Sequence, residues 1–297
     1  MRYVTPARSS SRRRREWIAL RKMLGFLTVG VLLGVGQMAS AGPLEDGVAA
    51  YQNKDYANAL KHFRPLAAQH NSTALYYLAL MYRLGYGVAR DKREEAKWLQ
   101  LAAEKGDANA QFELAIELAR SAFLKKSPQD GKEAMKWFHL AAAQGNTNAQ
   151  VALGSRYADG IGVAQDYKEA VRWYRLAAEQ GDSHGLSSLG EMYQEGKGVL
   201  QDFKEAAKWY RLAAERGNGD AQYRLALMYR NGQGVAQDSV RAHVLFNFAS
   251  VSLQREYAGW ARDKRNELTA KMTPAQIERA QEMARKCQES KFKDCGW

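Results

Sequence analysis

Cysteine, proline and histidine are all scarce in this 297-residue sequence, and each shortage narrows what the chain can be. The two cysteines, Cys287 and Cys295, both lie near the C-terminus. They can form one bridge around seven intervening residues or remain two thiols, and with no histidine in the tail they make no zinc set. The 5 prolines favour long helices over a loop-rich fold. The 5 histidines, His62, His70, His139, His184 and His243, form no paired helical motif and no cluster with cysteine at metal-ligand spacing. No Gly-x-Ser-x-Gly elbow is present. Ser290-Lys291-Phe292-Lys293 matches Ser-x-x-Lys, but it sits in the tail between the cysteines, where no helix presents it. The sequence offers no catalytic set, no metal site and no cofactor motif, and reads as a protein that is not an enzyme.

Excess positive charge is missing from most of the chain. The formal net charge is +12, but residues 1–41 hold eight basic residues and one acidic residue. The rest is close to balanced, with no Lys/Arg block dense enough to follow a phosphate backbone, so nucleic acid is not an expected partner. Long apolar runs are missing too. The run Met23–Gly36 is 14 residues, shorter than the roughly 20 that a spanning helix needs.

That run instead completes an export signal. Basic residues end at Arg21-Lys22, the apolar run follows, and Ala39-Ser40-Ala41 places small residues where a signal peptidase reads them. Cleavage is expected between Ala41 and Gly42, giving a periplasmic or secreted protein that meets the membrane only through its precursor segment. No cysteine follows the cleavage point, which argues against a lipoprotein anchor. The alternative is an uncut signal that tethers the protein to the inner membrane. An oxidising compartment favours the Cys287–Cys295 bridge.

What the sequence has in abundance is itself. Residues 166–179 nearly recur at 202–215, a shift of 36, and Trp98, Trp137, Trp173 and Trp209 stand 39, 36 and 36 apart. Each unit divides in two. Helix A reads Ala-x-x-x-Leu-Gly-x-x-Tyr, as at Ala149, Leu153, Gly154 and Tyr157, which keeps these side chains on one face. Gly154 and Gly190, matched by Ala79, Ala115 and Ala226, predict a close neighbour that a larger side chain would strike. A Gly-x-Gly-Val turn follows. It recurs after a helix, without the third glycine or the Lys-Ser/Thr of a phosphate loop, so it is read as turn geometry. Asp91, Asp130, Asp166 and Asp202, each with Glu three residues on, predict a capping box that opens helix B. Gly106, Gly145, Gly181 and Gly217 predict its left-handed stop. Within helix B, Ala170, Trp173, Tyr174, Ala177 and Ala178 form the stripe expected to be buried.

These residues resemble the Sel-one-like repeat family, relatives of the tetratricopeptide repeats, over roughly residues 44–250. The unit beginning at Ala110 departs from the pattern, lacking the Gly-x-Gly turn and carrying three extra residues in 121–130. The first, 44–70, has a short Asn53-Lys54-Asp55 turn. The expected fold is all-α: a signal peptide over 1–41, a right-handed α–α superhelix of about six helix pairs over 42–250, and capping helices with a tail over 251–297. Thr273-Pro274-Ala275-Gln276 predicts the start of a final helix running to Cys287, with Ile277, Ala280 and Ala284 inward.

The resemblance implies that helix A lines a concave face. Its third, seventh and tenth positions include Tyr76, Arg83, Phe112, Ser155, Glu191, Gln194, Tyr223 and Arg230. These vary between units while the packing residues do not. The resemblance further implies an adaptor that holds a protein or peptide partner in the cell envelope, in complex assembly or signalling. The second reading is an envelope enzyme or a binder of glycans or β-lactams, since some cysteine-rich members of the family are linked to penicillin binding. Those members carry a disulfide within each repeat, and here no repeat holds a cysteine.

Overall fold

A computed structural model describes residues 42–253, 255–292 and 295–297; the export segment, including Ala41, lies outside the described residues. Fourteen helices and no strand are found among the described residues. Six pairs come first: α1 (Pro43–Gln52) with α2 (Tyr56–Ala68), α3 (Ser72–Leu84) with α4 (Lys92–Glu104), α5 (Ala108–Lys125) with α6 (Pro128–Ala143), α7 (Thr147–Asp159) with α8 (Tyr167–Glu179), α9 (Ser183–Glu195) with α10 (Phe203–Ala214), and α11 (Gly219–Asn231) with α12 (Ser239–Ser252). Two further helices, α13 (Arg255–Thr269) and α14 (Pro274–Glu289), close the end. Each helix up to α13 packs on the next in the chain, α14 packs back on α12, and the pairs stack into a right-handed α–α superhelix.

The ends of the helices explain the period. Odd-numbered helices from α3 to α11 start on Asn71, Asp107, Asn146, Asp182 and Asn218, whose side chains accept from backbone N–H groups of the first turn. In α4, α8 and α10 the cap is Asp91, Asp166 and Asp202, as the spacing predicts. The capping box is not formed there. Glu94, Glu169 and Glu205 turn outward to Lys97, Arg172 and Lys208, because an ion pair one turn along competes for the carboxylate. Asp130 is not a cap either: α6 starts earlier, on Ser127 with Pro128 at the first position, and Asp130 accepts from the Ser121 hydroxyl at 2.6 Å. Gly106, Gly145, Gly181 and Gly217 take positive φ just past the even-numbered helices, as expected.

Packing residues do what their spacing requires. A Cβ on Gly154 or Gly190 would collide with the ring of Tyr174 or Tyr210, so the close neighbour is the partner helix's tyrosine. The second glycine of the turn meets a different unit. A Cβ on Gly198 or Gly234 would fall on the backbone carbonyl of Tyr167 or Phe203, at the start of the preceding pair's second helix. Trp137 and Trp173 are buried, with Lys136 and Arg172 lying over their rings at 5.8 and 4.1 Å, so the tryptophan column belongs to the core. Buried Gln111, Gln150 and Gln222 add a device absent from the apolar pattern. Each donates to a carbonyl in the last turn of the preceding helix, Ala103, Ala142 and Ala214 respectively. Gln144 and Gln180 donate in turn to Gln111 and Gln150, while Leu186 stands at the equivalent place in α9.

The buried apolar residues form two clusters. One runs from Ala50 to Leu153 and includes Trp173; the other takes in Ala170, Val171 and Tyr174 of the same helix and continues to Cys295. At the C-terminus Thr273 and Gln276 form the expected capping box, with Ala280 buried and Ile277 and Ala284 packed against the core. Cys287 and Cys295 are joined in a disulfide. The tail then folds back. Phe292 and Trp297 set their ring edges on Phe248 at 5.0 and 6.0 Å, and the Gly296 carbonyl accepts from Arg241 at 2.8 Å.

Two histidines carry a pH dependence. Burial, then the Arg172 charge, pushes His139 below its ordinary pKa; burial, then Arg265, does the same to His243. The unfolded chain therefore binds protons at these positions before the folded chain does, and stability rises with pH through this range. Between about pH 7.5 and about pH 5.5 the melting temperature is expected to fall, and a His139→Gln/His243→Gln variant should show a smaller fall. An unchanged slope in the variant would remove both histidines from the explanation.

Candidate partner-binding face

Odd-numbered helices stand side by side along one face, tied by their side chains. Tyr76 of α3 donates to Glu113 of α5 at 2.7 Å, Arg83 of α3 pairs with the same Glu113 at 2.5 Å, and Arg224 of α11 pairs with Glu191 of α9 at 2.5 Å. The variable positions of the repeat therefore share a surface, and they fall into three groups.

The first group forms a groove of about 390 Å³ lined by Arg83, Glu95, Phe112, Glu113, Ile116, Glu117 and Arg120. Tyr76 borders it through Glu113. Burial works against the Arg83 charge, but its bonds to Glu95 and Glu113 outweigh that and raise its pKa. Burial pushes the Glu117 carboxyl up, with Arg83 opposing. Phe112 packs against Phe138 at 6.0 Å, while Ile116 is 45% exposed in the groove. The result is an apolar floor beside a charge network in which Arg83 pairs with both Glu95 and Glu113.

The second group is inward-looking. Ser155 accepts from the Tyr174 hydroxyl at 3.1 Å, and Gln194 from that of Tyr210 at 2.8 Å. These two positions anchor the tyrosines that the two helix glycines admit, and their polar atoms already serve the scaffold.

The third group lies at the other end. Tyr223 sets its ring edge on Phe246 at 5.6 Å and lines a groove of about 270 Å³ with Asp220, Arg224, Leu227, Leu253, Tyr257 and Trp260. Glu191 joins it through Arg224. Arg230 donates to its neighbour Asn231 and does not line the groove. Tyr257 and Trp260, edge to face at 5.1 Å, are about half exposed.

Several residues here escape a reading of the third, seventh and tenth positions. Glu113 and Arg224 both stand at the fourth position of their units, which would have revealed them. Glu95 comes from α4, and Tyr257 and Trp260 from α13 beyond the repeat, so no repeat register could have placed them. Among the described residues no group of histidine, cysteine and carboxylate side chains is arranged to hold a metal. Ser290 of the Ser-x-x-Lys match donates to the Cys287 carbonyl at 2.9 Å, and Lys293 lies outside the described residues.

Comparison with known proteins gives this geometry a lineage. The Sel1 repeat profile matches residues 72–107, 108–146, 147–182, 183–218 and 219–250. A search of curated proteins returns no match. Among solved structures, a Sel1 repeat protein from Oxalobacter formigenes is 33% identical, over 71% of this chain and 82% of its own, with a TM-score of 0.62. The protein c5321, a protective antigen present in uropathogenic Escherichia coli strains and displaying an SLR fold, is 27% identical over 85% of this chain and 62% of its own, with a TM-score of 0.55. With five tandem matches over more than half its length, laid out as the helix pairs require, the chain belongs to the Sel1 repeat family.

Proposed function

We propose that the protein is exported and serves in the cell envelope as a non-catalytic scaffold, holding a partner protein or peptide on the concave face of its odd-numbered helices. The observation that carries this reading is the contrast within each unit. Packing residues repeat from unit to unit, whereas the exposed positions of α3, α5, α9 and α11 change and gather into two unlike grooves, one charged and one aromatic. Tyrosine, tryptophan and arginine in such grooves are the side chains that anchor interfaces. Export is supported by the leader at 1–41 and by the Cys287–Cys295 bridge, which persists in an oxidising compartment. No helix among the described residues is long and apolar enough to cross a membrane.

A pull-down from envelope extract tests the face. Tyr76→Ala/Tyr223→Ala/Arg230→Ala is expected to lose the partner at least tenfold against wild type, with circular dichroism unchanged. If every partner survives the triple change, the concave-face reading is wrong. N-terminal sequencing of the mature protein tests export separately, with a start at Gly42 expected.

A further inference from the structure

The unit that breaks the repeat pattern builds a surface of its own. Lacking the Gly-x-Gly turn, α5 runs on to Lys125 and ends only where Lys126 takes a left-handed conformation, φ 52°. The overrun lifts Phe123 and Leu124 out of the array, 84% and 70% exposed, and Phe123 stands across from Ile161 of the next turn, 53% exposed. Between them lies a groove of about 640 Å³ lined by Phe123, Ile161, Lys126, Lys132 and Arg156 among others, and no carboxylate lines it. The nearest acid of the insertion, Asp130, is engaged by the Ser121 hydroxyl. Arg156 is half-buried over the Phe138 ring at 4.7 Å, and its pKa is lowered by burial, with no acid to offset it. Four other guanidiniums of the array do have carboxylate partners: Arg83 with Glu95 and Glu113, Arg172 with Glu169, Arg224 with Glu191, and Arg241 with Asp238.

We propose that this groove binds an acidic amphipathic segment of a partner protein, one that sets large apolar side chains on Phe123 and Ile161 and carboxylates on Lys126, Lys132 and Arg156. Apolar area and unmatched positive charge occur together, and the complementary ligand must carry both in reverse. A recessed guanidinium fits a chain that enters the groove rather than a flat bilayer. Four cations around an apolar floor, Arg120 being the fourth, do not track the regular phosphates of a nucleic acid. A second copy of this chain, itself net basic, would bring like charge. The surface adjoins the charged groove through Arg120, which lines both, but Phe123, Ile161, Lys126, Lys132 and Arg156 line only this one, and neither reading depends on the other.

The test titrates a fluorescein-labelled peptide, Glu-Leu-Asp-Phe-Glu-Leu-Asp amide, into the full chain and follows anisotropy. Three controls run beside it: the Gln/Asn isostere, a version with alanine for every apolar residue, and phosphatidylglycerol vesicles. Binding of the acidic apolar peptide is expected, weakening several-fold as sodium chloride rises from about 50 to about 300 mM. Phe123→Ser and Lys132→Glu, both at exposed positions where the fold is not at stake, should each weaken it at least tenfold. Lys271→Glu, in the turn between α13 and α14, should leave it unchanged. The proposal is overturned if the isostere or the alanine peptide binds equally well, or if Phe123→Ser and Lys132→Glu bind like wild type. It is also overturned if Phe123 proves to mediate vesicle binding or dimer formation in place of peptide binding.

Discussion

Gly234→Ala is expected to cost about 2–5 kcal/mol of stability, and Gly232→Ala only about 1–2 kcal/mol. The two glycines belong to one turn and hold nearly the same left-handed conformation, φ 69° at Gly232 and 68° at Gly234. Alanine therefore meets the same conformational penalty at both, about 1–2 kcal/mol. What differs is the space. A Cβ on Gly232 would come no closer than 3.5 Å to Gln237, ordinary contact, whereas one on Gly234 would land on the Phe203 carbonyl oxygen. That clash can be relieved only by moving the turn away from the preceding pair, at a further cost of about 1–3 kcal/mol. Urea unfolding followed by circular dichroism measures both losses. Equal losses would show that the approach between units is not what selects glycine at the second position.

Removing the disulfide gives the second large effect. The bridge closes a short loop, with a sequence separation of 8, for which chain entropy predicts about 2–3 kcal/mol. Its loss also frees the segment that seats Phe292 and Trp297 on Phe248 and that accepts from Arg241. Cys287→Ala/Cys295→Ala, or thiol reduction of the wild type, is expected to lower the melting temperature by about 5–10 °C. Near-ultraviolet circular dichroism should change with it as the aromatic rings lose their fixed packing. A melting temperature insensitive to reductant would mean that the tail is held by its packing alone.

Most of the fold was legible because it is written several times over. Tyr174 and Tyr210, Gly154 and Gly190, Asp166 and Asp202 each identify a position by recurring there, and periodicity, caps and stops agree without borrowing from one another. Where a feature occurs once, that advantage is gone. Among its described residues the helix α13 buries only Ala258, Ala261 and Leu268, too thin a stripe to stand out from its charged residues. Asp130 was placed by analogy with its counterparts, and Ser127-Pro128 overrode the analogy because it offers a cap and a proline-ready first position. The glutamates of the first turn were read as box partners, but a basic residue three positions on takes the carboxylate. The face was legible only in outline. The repeat gives the register of Arg83 and Tyr223, but Glu95 and Trp260 reach their grooves from helices outside that register.

The two apolar clusters meet inside a single helix, α8, where Trp173 belongs to one and Tyr174 to the other. The relay of glutamine side chains stops beyond this point too, at Leu186. No break in the packing marks the change: α8 packs on both α7 and α9, and residues 42–297 form one compact unit whose elements are coupled mainly to their neighbours. The charged groove at Arg83 lies beside the first cluster and the aromatic groove at Tyr223 beside the second. A partner long enough to span both would meet them at a separation set by the units stacked between, so its grip would depend on the length of the array as well as on the side chains.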